Sequence, residues 1–465
     1  MAYLGNTPTT QSFISGTDYF NGTGSQTAFT LSRTVASIND IQVTVNNVVQ
    51  QPNDAYTSRG TTLTMTSAPS AGTNNVYVRY LSTTTQAITP SQGTVSWSTL
   101  NSDVQQDLGI SYKNRIINGN MVIDQRNAGA SVTASTTGTG QNYTLDRFFY
   151  WVSQASKMTI QQNAGSVTPP AGFTNYLGVT SSAATSLGSS DYFLIGQAIE
   201  GFNTADLDFG KSTAKTVTLS FWVRSSLTGT FGGALQNSTP NRSYPFSYTI
   251  SSANTWEQKS ITIAGDTTGT WTGATNGVGA YVWFGLGLGS TYSGTAGVWN
   301  SSTPSVYSAT GATSVVGTNG ATWYITGVQL EVGTQATTFT TAGGSYGAEL
   351  ALCQRYYYRL GTSISGSMYG VGWNVTTTQA LALITFPVTM RTAPSALEQS
   401  GTASDYAVYH GGGSGATCNA VPAFGVANTQ NCRFLLTVAS GLTANGGSMA
   451  RAENNNSYLG FSAEL

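Results

Sequence analysis

Groups able to act as nucleophile, general base or metal ligand are sparse in this chain of 465 residues. There is one histidine, His410, and there are three cysteines, Cys353, Cys418 and Cys432. A lone imidazole and scattered thiols do not give the clustered ligand spacing that zinc needs. No GxxxxGKS, HExxH or GxSxG stretch occurs, so a phosphate-cradling loop, a zincin helix and a nucleophile elbow are all unsupported. No cofactor is expected. Two readings of the cysteines stay open: a Cys418–Cys432 bridge, or buried thiols, the plainer of the two. Isolated carboxylates can still meet in space as a hydrolytic pair, which spacing in the chain does not reveal.

Two acid–base doublets stand out: Asp124 with Arg126 in VIDQR, and Asp146 with Arg147 in TLDRFF. Charged residues make up only 8% of the chain, against roughly 25% in ordinary soluble domains. Charges so scarce, set among apolar neighbours, are expected to pair and hydrogen-bond across strands, because a buried charge left alone is expensive. An active site is the alternative, but no nucleophile with an activating base lies beside them. The aromatic residues offer a different chemistry. Tyr406 and Tyr409 precede, and His410 opens, the glycine-rich run HGGGSGATCN, read as a flexible tip loop, and Trp373 sits in another strand-turn region. Rings beside mobile glycine loops can stack on sugar faces, so these four are the candidate glycan contacts. The competing reading gives Tyr406 and Tyr409 a common core face, which their spacing of three disfavours. Trp222 is a further binding candidate, set against rim packing.

The elements that must position these residues read as strands. Many aromatics and abundant Thr, Ser, Asn and Gly with few charges describe a polar, uncharged β-protein. In DIQVTVNNVVQ, Ile41, Val43 and Val45 share a face and Asn46-Asn47 makes the turn. Leu63 and Met65 form a second such face, and Val76, Val78 and Tyr80 a third, with Asn74-Asn75 as the preceding turn. This N-terminal segment shows no aromatic cluster. From about 111 to 345, short strands alternate with Gly/Asn/Ser/Thr turns, as in a jelly roll or two-sheet sandwich. Within it, Val217, Leu219, Phe221 and Val223 have period two and face the core, with Trp222 opposite. Ala380, Ala382 and Ile384 alternate with Leu381 and Leu383, so that strand is apolar on both faces and is central or wedged between subunits.

The predicted organisation is all-β. It comprises a small β-domain over 1–82, a linker over 83–110, a sandwich over 111–345, a helical junction over 346–360 and a distal β-domain over 361–465. In the linker, Leu100, Val104 and Leu108 form a helical stripe one residue wide. Either three copies around an axis or a neighbouring domain would cover it. In ELALCQRYYYRLG, Gly343 and Gly344 break the preceding strand and Ser345 can cap a helix. Leu350 and Cys353 share its face, and Tyr356, Tyr357 and Tyr358 suit a partly wet junction. The net charge of −1 and the absence of a Lys/Arg cluster argue against nucleic acid. No apolar run is long enough to insert in a membrane, and the N-terminal residues do not read as a signal peptide.

NRIINGNMVIDQRNAG, YTLDRFFYW, QAIEGFNTADLDFG, VTLSFWVRSSLTGTFGGALQN, WYITGVQLEVGTQATTF and GAELALCQRYYYR together cover roughly 113 to 359. In this combination the chain resembles tail-fibre and receptor-binding proteins of tailed bacteriophages, especially marine and cyanobacterial ones. The resemblance implies a homotrimeric fibre in the virion tail. Its N-terminal domain would attach to other tail proteins and its distal end would meet host surface polysaccharide. Its middle domain resembles a carbohydrate-binding jelly roll, and it fixes no catalytic residue. Residues 360–465 match only loosely. A non-enzymatic adhesin is expected. The alternatives are a glycan-degrading tailspike, which needs a carboxylate pair in a groove, and a purely structural tail or head fibre.

Overall fold

A computed structural model describes residues 16–81, 113–136, 141–301, 305–361, 364–411 and 413–465. The stripe Leu100/Val104/Leu108 lies outside the described residues. The chain forms two compact units, one up to Thr99 and the other from Leu100 onward.

The first unit has a four-stranded sheet and a separate two-stranded pair. Ile41–Val45 buries Ile41 and Val43 against Leu63, Met65, Val76 and Val78. Asn46 and Asn47 both adopt positive φ, as the turn requires. Asn74 and Asn75 differ from expectation: they lie inside the strand Gly72–Tyr80. The Asn75 side chain accepts from Gly22 N at 2.7 Å and donates to Ser70 O at 2.8 Å. It therefore staples a bulge rather than making a turn. Tyr19, 61% exposed, lies 5.9 Å from Tyr77, a small aromatic pair where none was expected.

The second unit opens with two six-stranded antiparallel sheets packed as a sandwich. The first runs Glu257–Ile263, Val217–Ser225, Thr322–Val332, Leu177–Ser181, Met158–Gln162 and Val132–Thr133. The second runs Ser243–Ile250, Gly229–Asn237, Val278–Leu288, Tyr192–Glu200, Phe149–Val152 and Asn142–Tyr143. Val217, Leu219, Phe221 and Val223 are all fully buried in the shared core, as their alternation predicts. Trp222, on the opposite face, is half-buried; its ring and that of Phe173 close over Gly327.

A helix, Tyr346–Gln354, follows, capped by the Ser345 hydroxyl accepting from Ala348 N. Cys353 is buried and Leu350 packs beside it. The chain turns directly into the strand Tyr357–Gly361. That strand joins Tyr458–Ser462 and Leu397–Gln399 in a three-stranded sheet, and the remaining distal strands close a six-stranded barrel. Ala380, Ala382 and Ile384 point into the barrel, while Leu383 on the outer side is 44% exposed. The glycine-rich run is not a long loop. His410 pairs with Ser414, and a strand continues from Ser414 to Ala427. Gly415 permits this, since a Cβ there would sit 2.8 Å from the Tyr409 ring.

Candidate functional site

The second sheet of the sandwich is apolar on both faces. Along Phe149–Val152, Tyr150 and Val152 enter the sandwich core while Phe149 and Trp151 point away from it. Along Val278–Leu288, Val282 and Phe284 enter the core while Tyr281 and Trp283 point away. The outward rings gather into a cluster. Trp283 is its floor: it stacks on Tyr281 at 5.2 Å and meets Trp151 at 5.8 Å and Tyr307 at 5.5 Å. Small neighbours let the indole lie flat on the sheet. Trp283 pairs with Gly196 on one side and Ala234 on the other. A Cβ on Gly196 would come within 2.7 Å of the indole.

These rings line an open cleft of about 460 Å³, a size ordinary for ligand sites. Gln141, Gln236 and Ser238 add polar groups, and among the described residues no charged side chain lines it. Gln236 is only 1% exposed. Its Oε1 accepts from Trp283 Nε1 at 3.0 Å. Indole N–H can only donate, so this bond fixes which end of the amide faces the tryptophan. The Nε2 group is then left buried without a partner among the described residues. An orphaned buried donor is costly unless a ligand or water meets it. Apolar ring faces around a fixed amide donor suit a sugar, which presents a C–H face and hydroxyl edges.

A second, polar crevice of about 500 Å³ adjoins the cleft, with Gln141 and Tyr143 lining both. It lies where the sandwich meets the distal strands, and here the doublets find their places. They do not pair with each other. Arg126 binds Glu398 at 3.2 Å and Glu464 at 3.3 Å, with its guanidinium 3.5 Å from the centre of the Tyr357 ring. Arg147, 1% exposed, pairs with Glu464, donates to Ala198 O at 2.6 Å and lies 3.6 Å over Tyr356. Asp146 accepts from Gln125 N at 2.6 Å and from its side chain at 2.5 Å, and burial pushes its carboxyl up to about 7. Asp124 accepts from Asn127 N at 2.9 Å and Gly129 N at 2.7 Å, closing a loop; burial raises it too. Each carboxylate of a doublet thus serves nearby amides, and each arginine reaches a glutamate hundreds of residues later.

The tyrosine run occupies this junction. Tyr356 donates to Glu200, which also receives Arg355 through two bonds of 3.0 and 2.6 Å. Tyr357 donates to Glu398 at 2.8 Å, and Tyr358 packs on Phe386 and Phe461.

The four residues proposed from sequence for glycan contact do not form one site. Tyr406 is fully buried in the barrel core, where its hydroxyl donates to Tyr458 O at 2.7 Å and accepts from Ser400 N at 2.9 Å. It cannot touch a ligand. Its spacing from Tyr409 turns one ring inward and the other outward. Tyr409 and His410 line a shallow hollow of about 200 Å³, and Arg451 lies 4.0 Å over the Tyr409 ring. Trp373, 45% exposed, stands on the outer barrel face opposite Gly447. The three cysteines are free and buried; burial pushes Cys418 up to about 12 and Cys432 up to about 11. Among the described residues no cluster could hold a metal ion, and no helix is long and apolar enough to cross a membrane.

No family model and no curated protein matches the chain. Among solved structures, the enzymatically active domain of tailspike protein 4 of bacteriophage CBA120 aligns at 12% identity and a TM-score of 0.26, over 48% of this chain but 22% of its own. A family 11 carbohydrate-binding module from Clostridium thermocellum aligns at 10% identity and a TM-score of 0.24, over 45% of this chain and 99% of its own. The CBM22-1 xylan-binding domain of Paenibacillus barcinonensis Xyn10C aligns at 8% and 0.20, over 45% and 99%. At such identities and TM-scores no function passes from these proteins to this chain.

Proposed function

We propose that this chain is a non-catalytic glycan-binding protein whose site is the aromatic cleft beside the second sheet of the sandwich. The observation that carries the reading is the cleft lining: the half-buried rings of Trp151 and Tyr281 beside the buried Trp283, with the Gln236 amide, unpartnered among the described residues, next to them. The lack of charged side chains among the described lining residues favours a neutral glycan. In its biological setting the chain is a tail-fibre subunit of a bacteriophage virion. It is homotrimeric, is attached to other tail proteins by its N-terminal unit, and binds surface polysaccharide of the host. The sequence resemblance supports that setting, and weak sites multiplied by copy number suit adhesion.

The test is binding of the purified chain to an array of bacterial and plant glycans, beside Trp151→Ala and Trp373→Ala. Wild type and Trp373→Ala should bind alike, and Trp151→Ala at least about tenfold more weakly, with its fold intact by circular dichroism. Binding abolished by Trp373→Ala and untouched by Trp151→Ala would move the site to the barrel. Release of new reducing ends from any bound glycan would replace the adhesin with the hydrolytic reading.

A further inference from the structure

We infer that the polar crevice at the junction is a second glycan subsite, so that the protein grips an internal stretch of a neutral chain rather than one terminal sugar. This rests on the aromatic cleft being a glycan site. The two hollows are neighbours: Gln141 and Tyr143 belong to both walls. A linear ligand lying across the outward rings runs past Tyr143 into the crevice.

The crevice is equipped for hydroxyl groups. Arg126 is held from one face by Tyr357 and on its terminal nitrogens by Glu398 and Glu464, yet its buried Nε–H has no partner among the described residues. That is a second orphaned donor, on the same furrow as the Gln236 amide. Arg359 lies 3.7 Å over the Tyr458 ring, fixed in place by donation to Arg126 O. Glu398, its side chain 44% exposed, retains acceptor capacity toward the opening. Donors and acceptors held rigidly side by side match vicinal hydroxyls. The two arginines are offset by the two glutamates, so the crevice favours neutral units over carboxylated ones. Arg126 and Tyr143 come from the sandwich, whereas Arg359, Glu398 and Tyr458 come from the distal strands. The subsite is therefore complete only when both parts are joined.

The experiment is calorimetric titration of the full chain with neutral cello-, xylo-, galacto- and manno-oligosaccharides of two to six units, and with oligogalacturonates of the same lengths. Two variants accompany wild type: Arg359→Ala, and Ser462→Trp, which fills the crevice without removing an ion pair. For the series that binds, affinity should rise at least about tenfold from the trimer to the hexamer, one charged hydrogen bond's worth. Both variants should lower the hexamer to the trimer's affinity and leave the trimer unchanged. Melting curves identify any variant that fails to fold, and the other then carries the comparison. Equal affinity for trimer and hexamer in wild type overturns the second subsite while leaving the aromatic cleft standing. So does a hexamer gain that both variants preserve. A length gain confined to galacturonates, and lost in salt, overturns the neutral assignment. No binding at any length removes the cleft reading and this one with it.

Discussion

Replacing Glu464 by glutamine tests the junction. Its carboxylate is 6% exposed and pairs with two arginines, of which Arg147 is 1% exposed. Solvent screens neither partner, so the charge lost cannot be made up by water. Removing one member of a buried ion pair leaves the other uncompensated, which destabilises by about 3–5 kcal/mol. Arg126 keeps Glu398, while Arg147 keeps a backbone carbonyl and the Tyr356 ring but no carboxylate among the described residues. For the unit from Leu100 onward the loss corresponds to a melting temperature roughly 5 °C lower. The assay is scanning calorimetry of wild type, Glu464→Gln, Arg147→Met and the double variant Arg147→Met/Glu464→Leu. Each single change should destabilise strongly. The double change should recover at least half of the loss, because apolar replacement of a whole buried pair is often neutral. A Glu464→Gln protein melting within about 2 °C of wild type would refute the assignment of Glu464 as the counter-charge of Arg147.

Asp146 gives a pH signature. Burial raises its folded value to about 7 from an ordinary 3.8, so between those values the folded chain holds a proton that the unfolded chain has released. Its stabilising contribution is complete below the lower value and fades as pH rises through about 7. Relative to Asp146→Asn, wild type should therefore lose urea midpoint between pH 4 and pH 8; a difference independent of pH refutes this. Tyr357→Ser removes a buried ring that carries Arg126 and bonds Glu398, and should cost about 3 kcal/mol in urea unfolding; unchanged stability counts against the junction. Light scattering should give three times the 48.5 kDa chain mass, and a stable monomer removes the trimer.

The strands were legible where one face is polar. Val217 to Val223 and Ile41 to Val45 followed their alternation, and Ser345 capped its helix as its type and place suggested. The cleft was not legible, for a physical reason. FYWV and YVWF are apolar on both faces, and such a strand reads as doubly buried. Phe149 and Trp283 are indeed covered on that second face, and sequence does not tell that Trp151 and Tyr281 at its margin stay half-exposed. The one local hint was Gly196, a glycine inside an otherwise apolar strand, which marks a close approach; its partner Trp283 is 87 positions away. The arginines of the doublets are paired and the aspartates hydrogen-bonded, but the arginines' partners Glu398 and Glu464 are remote in the chain, which spacing does not reveal. The glycine-rich run misled because Gly415 serves to seat the Tyr409 ring, not to loosen the chain.

Glu464 lies 317 residues after Arg147. At ordinary ribosomal speeds that separation lasts roughly 15–60 s. For that interval the emerging sandwich holds an arginine whose counter-charge has not yet been made. The two sheets can pair, but the guanidinium against the Ala198 carbonyl is then unneutralised, beside the place Tyr356 will take. Synthesis thus sets a clock on the domain: its junction surface stays unsealed until the distal strands arrive.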